Sequence, residues 1–294
     1  MQTGKSIVQA PIATKIVSDA FGKVEIPLHP QRIIVLDDHT YLDPVLALGI
    51  KPVGIMSCYG CNEDYRGIPD DLVASIPDVG RVLQPSLERI IYLKPDLILS
   101  YDFQKNSYPQ LSEIAPTIAI DYFSVVNFKE RLMYFARLLG KRARAEEILA
   151  QYEDRIQQLR QELGKKLENK TVSIIYLSGS QTFTVYKPDD MNHSQILQDA
   201  GLQFTQAQIS QKQHYLTLNI EALPMYDADY LFIVNNSWTK SDNQTNLSRL
   251  KQPIWSTLKA VQNNQVYLVK WDIGGTIGAN RVIDDLYKYL VSIP

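Results

Sequence analysis

The sequence predicts an α/β protein of two lobes with parallel sheets, joined by one long α-helix. Three observations carry that expectation. Short apolar runs alternate with helical segments over residues 32–120, as they do where strands lie parallel with helices on the sheet faces. From Asn127 the alternation gives way to helical spacing that lasts to Leu167. The strand–helix alternation then restarts at Thr171. A chain of 294 residues, 45% hydrophobic and 21% charged, has an ordinary globular composition and is comfortable for two cores.

Taken in order, residues 32–36 (RIIVL) form a buried strand, followed by the polar turn Asp37-Asp38-His39-Thr40-Tyr41 and a helix closed by Gly49. A strand at 52–56 leads into a long loop through Cys58 and Cys61. In PSLERIIYLKPDLILS, residues 85–100, Ser86 caps a helix and Glu88 sits in its first turn, where a carboxylate suits the helix dipole. Pro95-Asp96 turns the chain, Leu97-Ile98-Leu99 is a buried strand, and Ile118–Ile120 is another. This is the first lobe, 16–126. A linking helical segment occupies 127–167, with apolar Leu132, Phe135, Leu138 and Leu139, then Ile148, Leu149, Tyr152, Ile156, Leu159 and Leu163. Gly140 separates a first helix from a second over 142–165, roughly 35 Å long. Its charged face places it at the surface, and too few heptads are sustained for a coiled coil. The second lobe, 168–294, repeats the pattern with strands at 171–177, 229–234 and 265–270, and helices at 194–202, 255–261 and 281–290.

The chemistry is marked first by what is missing. A net charge of −2 and a pI near 6.1 give no face for nucleic acid. No apolar run approaches the ~20 residues of a membrane helix. Met1–Asp19 lacks the apolar stretch of a signal peptide, so the chain is either cytosolic or a mature start after signal removal. No glycines follow the first strand to cradle a dinucleotide, and G-x-S-x-G, Walker and H-E-x-x-H motifs are absent. Ile273-Gly274-Gly275-Thr276-Ile277-Gly278 reads as a tight strand-to-helix passage. Asp37, Asp38 and His39 at a strand's end could bind metal or act as acid and base, against a turn or capping role. Cys58-Tyr59-Gly60-Cys61 has the spacing of a redox pair, half a zinc site or a local disulfide. His29, His39, His193 and His214 are scattered without zinc spacing and a loop follows Cys61, which favours a loop disulfide or two idle thiols. What the sequence does hold is aromatic residues near strand ends: Tyr59, Tyr101, Phe103, Tyr122, Phe123, Tyr176, Tyr186, Trp238 and Trp271. Ligands of open α/β lobes bind outside the carboxyl ends of the strands, so two facing lobes would make an aromatic cleft.

In five blocks, in order, the chain resembles the substrate-binding proteins of ABC importers for iron–siderophores and cobalamin. They are RIIVLDDHTYLDPVLALGIKPVGI, DVGRVLQPSLERIIYLKPDLILS, LLGKRARAEEILAQYEDRI, LTLNIEALPMYDADYLFIV and WDIGGTIGANRVIDDL. The resemblance covers 16–290 and implies two Rossmann-like lobes bridged by the long helix. It implies a protein that is not an enzyme, periplasmic or anchored as a lipoprotein facing the periplasm, monomeric, without an intrinsic cofactor or resident metal. Its ligand would be a ferric siderophore, hydroxamate or citrate-type, with a catecholate still open. Ligand contacts fall to Arg81, Tyr59, Tyr101, Phe103, Tyr176, Tyr215, Trp238 and Trp271. Arg81 stands one residue from the family's chelate-binding arginine, which leaves the chelator's type open. Glu88 in PSLERI and Glu221 in LNIEAL match the glutamates that meet arginines of the transporter's permease subunits. Two other readings compete: a zinc- or manganese-binding protein of a metal importer, and a cytosolic α/β enzyme using Asp37, Asp38 and His39.

Overall fold

A computed structural model of the chain describes residues 13–58, 65–81, 83–121, 127–167, 169–178, 181–234 and 253–291. An antiparallel hairpin, β1 (Thr14–Ser18) and β2 (Lys23–Pro27), leads into the first sheet. That sheet is four-stranded and wholly parallel, with β3 (Ile33–Val35), β4 (Gly54–Ile55), then β7 (Leu97–Tyr101) and β8 (Thr117–Ile120) in the order β4-β3-β7-β8. The small pair β5 (Gly80–Arg81) and β6 (Gln84–Pro85) stands apart. Alternate residues feed two apolar layers. Ile33, Val35, Leu97 and Leu99 pack under α1 (Leu42–Ala47), whereas Ile34, Leu36, Ile98 and Met56 face α3 (Leu87–Leu93) and α4 (Tyr108–Ile114). A short α2 (Asp70–Val73) precedes β5.

The second sheet repeats this order. Its parallel part runs β11 (Gln203–Phe204), β9 (Thr171–Ser178), β13 (Tyr230–Val234), β14 (Val266–Val269). Counted within each lobe, both parallel orders are second-first-third-fourth strand, and both therefore reverse direction beside their first strand. Beyond β9 the second sheet adds an antiparallel edge, β10 (Thr182–Tyr186) and then β12 (Tyr215–Asn219), which the sequence reading did not include. Helices α7 (Asn192–Asp199), α8 (Gln206–Ile209), α9 (Lys259–Gln262) and α10 (Thr276–Leu286) complete the lobe.

Between the sheets run α5 (Phe128–Leu139) and α6 (Arg142–Leu163). The Asn127 side chain accepts the Lys129 and Glu130 amides at the start of α5. Gly140, at φ +68°, ends α5 in the left-handed conformation that glycine adopts without steric cost. The 22 residues of α6 span roughly 33 Å. Its inward stripe changes lobe along its length: Ala145, Ile148 and Leu149 join the first lobe's core, while Tyr152, Ile156, Leu159 and Leu163 join the second's. One helix is thus a structural member of both cores.

Candidate functional site

The turn after β3 is organised around Asp37. Its carboxylate accepts the amides of His39 (2.9 Å), Tyr41 (2.6 Å) and Leu42 (3.0 Å), and the Tyr101 hydroxyl as well. Asp37 therefore caps a turn and α1 rather than standing open to a ligand, as the capping reading of the sequence expected. Asp37, Asp38 and His39 do bring ligand-type atoms within 4.8 Å of one another, but Asp37's oxygens already serve those four donors.

Asp38 and His39 turn toward the other lobe. His39 Nδ1 lies 2.7 Å from Asp38 Oδ1, and its Nε2 is 4.0 Å from Asp272 Oδ1 beyond β14. Arg66 joins the two sides, with Nε 3.2 Å from Asp38 and Nη1 2.6 Å from Asp272. Burial pulls the His39 imidazole down, but its hydrogen bond to Asp38 and the nearby charges of Asp272 and Asp37 together hold its pKa above the ordinary histidine value. The result is a charge network spanning the junction where the carboxyl ends of β3 and β14 meet.

Beside it, Asp43 reaches from α1 to the start of α10, accepting the amides of Ile277 (3.1 Å) and Gly278 (2.9 Å). Gly275 occupies the N-cap of α10 and has no side chain to serve these amides, so the cap comes from the opposite lobe. A Cβ on Gly275 would lie 2.4 Å from Asp43 Oδ1, and one on Gly274 would lie 2.0 Å from the His39 carbonyl oxygen. The two glycines let the lobes touch. Arg131 of α5 donates to the Gly274 carbonyl at 2.8 Å, and Asn192 of α7 donates to Ile273 at 2.8 Å. Burial pushes the Asp43 carboxyl up to about 6 even though it accepts the amides of Gly278 and Ile277.

The expected ligand residues divide three ways. Arg81 and Tyr215 are exposed, and so is Phe103, which stacks on Tyr101 with centroids 4.6 Å apart at the carboxyl end of β7. Three others need correction, because their rings are core. Tyr101 is 3% exposed, packed against Tyr41 at 4.1 Å with its hydroxyl on Asp37, and it supports Phe103 from beneath. Tyr176 is 8% exposed with its hydroxyl 3.3 Å from His193. Trp271 is 0% exposed, packed on Phe232, and its indole N–H donates to Asp285 at 2.8 Å. A tryptophan just after a strand satisfied the pattern for a cleft aromatic, but β14 directs it inward and leaves the next residue, Asp272, at the junction. Tyr59, Tyr122, Phe123 and Trp238 lie outside the described residues. Tyr176, Tyr186 and Tyr215 form a ring series across β9, β10 and β12, with centroid spacings of 4.8 and 5.9 Å. Cys58 is disulfide-bonded, and Cys61, the chain's other cysteine, lies outside the described residues.

Sequence reasoning missed Arg66, Asp272 and Asp43, the charged residues of the junction. Arg66 and Asp272 are 206 positions apart, so spacing along the chain holds no trace of the pair. The one available signal was Gly274-Gly275, since adjacent glycines mark a close approach of backbone to something else.

Glu88 and Glu221 are both exposed. Glu88 is in the first turn of α3, whose cap is Ser86; Glu221 is in the first turn of the 3₁₀ element Ile220–Tyr226, where the Asn219 side chain accepts the Glu221 amide at 3.1 Å. Each stands nine residues ahead of its lobe's third strand, β7 or β13.

Two like lobes whose sheets turn their carboxyl ends to a common junction, held by a helix shared between both cores, define a two-lobed binding protein. A family model described as "Periplasmic binding protein" matches residues 34–272, and the chain belongs to that family. It is a substrate-binding protein of the iron–siderophore class of ABC importers, not an enzyme. It is similar to the achromobactin-binding periplasmic protein of Dickeya dadantii (strain 3937), at 34% identity over 88% of this chain and 86% of the relative. It is also similar to the probable siderophore-binding lipoprotein YfiY of Bacillus subtilis (strain 168), at 32% identity over 95% of this chain and 88% of the relative. Staphylococcus aureus SirA complexed with staphyloferrin B has the same fold, with a TM-score of 0.77 and 28% identity over 94% of this chain and 98% of that one. Among the described residues no helix is long and apolar enough to cross a membrane.

Proposed function

We propose that this protein captures a ferric siderophore of hydroxamate or citrate type between its lobes, on the periplasmic side, and as a monomer delivers it to the permease subunits of an ABC importer. The observation that carries the reading is the repeated strand order. It turns two sets of strand carboxyl ends toward one junction, and it puts one exposed glutamate at the same place in each lobe. The names of the similar proteins, achromobactin-binding, siderophore-binding and complexed with staphyloferrin B, support the ligand class. A siderophore saturates its own iron, so the protein need supply no metal ligand, and rings and cations suffice. Arg81 would offer its planar fork to chelate oxygens, and Phe103 an exposed ring backed by Tyr101. Glu88 and Glu221 would each meet an arginine of a permease subunit and set the docking register. The lobes would divide at 16–126 and 168–294, with 127–167 between them.

Titration of tryptophan fluorescence against ferric hydroxamate, ferric citrate, a ferric catecholate, cobalamin, haem, Zn²⁺ and Mn²⁺ tests the reading. A saturable response to a ferric hydroxamate or citrate chelate is expected, with Arg81→Ala weakening it about tenfold, a loss of about 1.4 kcal/mol. Stoichiometric zinc or manganese binding with no response to any chelate would overturn it.

A further inference from the structure

On each lobe the glutamate is accompanied by exposed apolar side chains. On α3, Ile91 and Tyr92 are 57% and 83% exposed and lie three and four residues after Glu88, the spacing that puts side chains on one helix face. On the 3₁₀ turn, Pro224 is exposed three residues after Glu221, the spacing at which 3₁₀ side chains eclipse, and Met225 beside it is 69% exposed. A single exposed apolar residue needs no explanation. Two sets, each beside the glutamate that precedes a lobe's third strand, are harder to assign to chance. Among the described residues neither glutamate carboxylate has an ion pair or a hydrogen bond. Arg89, next to Glu88, pairs instead with Asp78 at 2.8 Å and so leaves Glu88 free for a cation from outside. Pro77, Asp78, Glu88, Arg89, Tyr92 and Leu93 line a recess of about 420 Å³.

We propose that each lobe presents a two-part footprint to the importer: a glutamate that pairs with an arginine, and an apolar anchor, Tyr92 on the first lobe and Met225 on the second, that seats against an apolar side chain beside that arginine on the permease. The inference rests on the docking role of Glu88 and Glu221 given above and adds the division of labour. Exposed acid–arginine pairs steer encounter and set register, while a desolvated aromatic or methionine anchor governs residence time.

The test uses the full chain, without added chelate, binding to its cognate importer in nanodiscs at about 50 and about 300 mM salt, a range over which the Debye length falls about 2.5-fold. Y92A and M225A are each expected to raise the dissociation constant about tenfold through faster dissociation, with association rate and salt dependence unchanged. E88Q and E221Q are expected to slow association and flatten its salt dependence. Both anchors are exposed, so thermal midpoints should stay at the wild-type value. If the glutamate variants weaken docking and the anchor variants do not, the footprint inference falls and the docking reading stands. If none of the four changes docking, the docking reading falls and takes the inference with it.

Discussion

Asp43 and His193 are buried groups with opposite pH dependence. Burial, only partly offset by the amides of Gly278 and Ile277, raises the Asp43 pKa from 3.8 to about 6, so its contribution to stability is present below 3.8 and lost as pH rises through 6. Burial lowers the His193 pKa from 6.5 to about 4, against the pull of Asp272, so its contribution is present above 6.5 and lost as pH falls through 4. Each amounts to about 3 kcal/mol, and in the wild type they largely cancel between pH 4 and 6.5. Single substitutions should unmask them. Relative to wild type, H193Q should gain about 3 kcal/mol on going from pH 7 to 4, and D43N should lose about 2–3 kcal/mol. Urea unfolding at both pH values checks this, and parallel curves for wild type and variants would refute it. Little at this scale was legible in the sequence. An aromatic after a strand reads alike whether it turns outward, as Phe103 does, or inward, as Trp271 does, because the direction depends on strand register against partners distant in the chain.

Among elements, α6 is the most legible and the most consequential. Its stripe of Tyr152, Ile156, Leu159 and Leu163 was readable as period 3.6, and Gly140 as its separation from α5, because helix signals are local. The strands β10 and β12 escaped because Thr182–Tyr186 and Tyr215–Asn219 mix threonine with apolar residues, a weaker signature than the continuous apolar runs of β3, β7 and β13. Energetically α6 depends on its buried stripe. Leu159→Ala, at a site with no exposed surface, should cost about 2–5 kcal/mol by leaving a cavity. Gln158→Ala on the exposed face should change stability by less than about 0.5 kcal/mol. Urea midpoints measured at constant m-value separate the two, and equal effects would deny α6 its place in the second core.

For the molecule as a whole, the question is how far the lobes can move. The long helix alone predicts little hinge motion, because bending it breaks hydrogen bonds in a rod whose two halves are fixed in different cores. The junction adds ties that the sequence did not disclose: Arg66 to Asp38 and Asp272, Asp43 to the start of α10, and Arg131 to the Gly274 carbonyl. Each tie links groups that are at least partly buried, and opening the junction would exchange these bonds for bonds to water at a net cost of about 0.5–1.5 kcal/mol for each. A chelate can shift the lobes only by its differential affinity for two arrangements. A preformed cleft is therefore the lower-energy design, and the radius of gyration from X-ray scattering should change by less than about 0.5 Å when a ferric chelate saturates the protein. The double variant R66A/R131A removes ties from both flanks and should widen the distribution of radii in the absence of chelate, with added chelate narrowing it again. A wild-type radius that contracts by several ångströms on binding would mean that the shared helix and the junction ties yield together, and that the lobes close by a hinge.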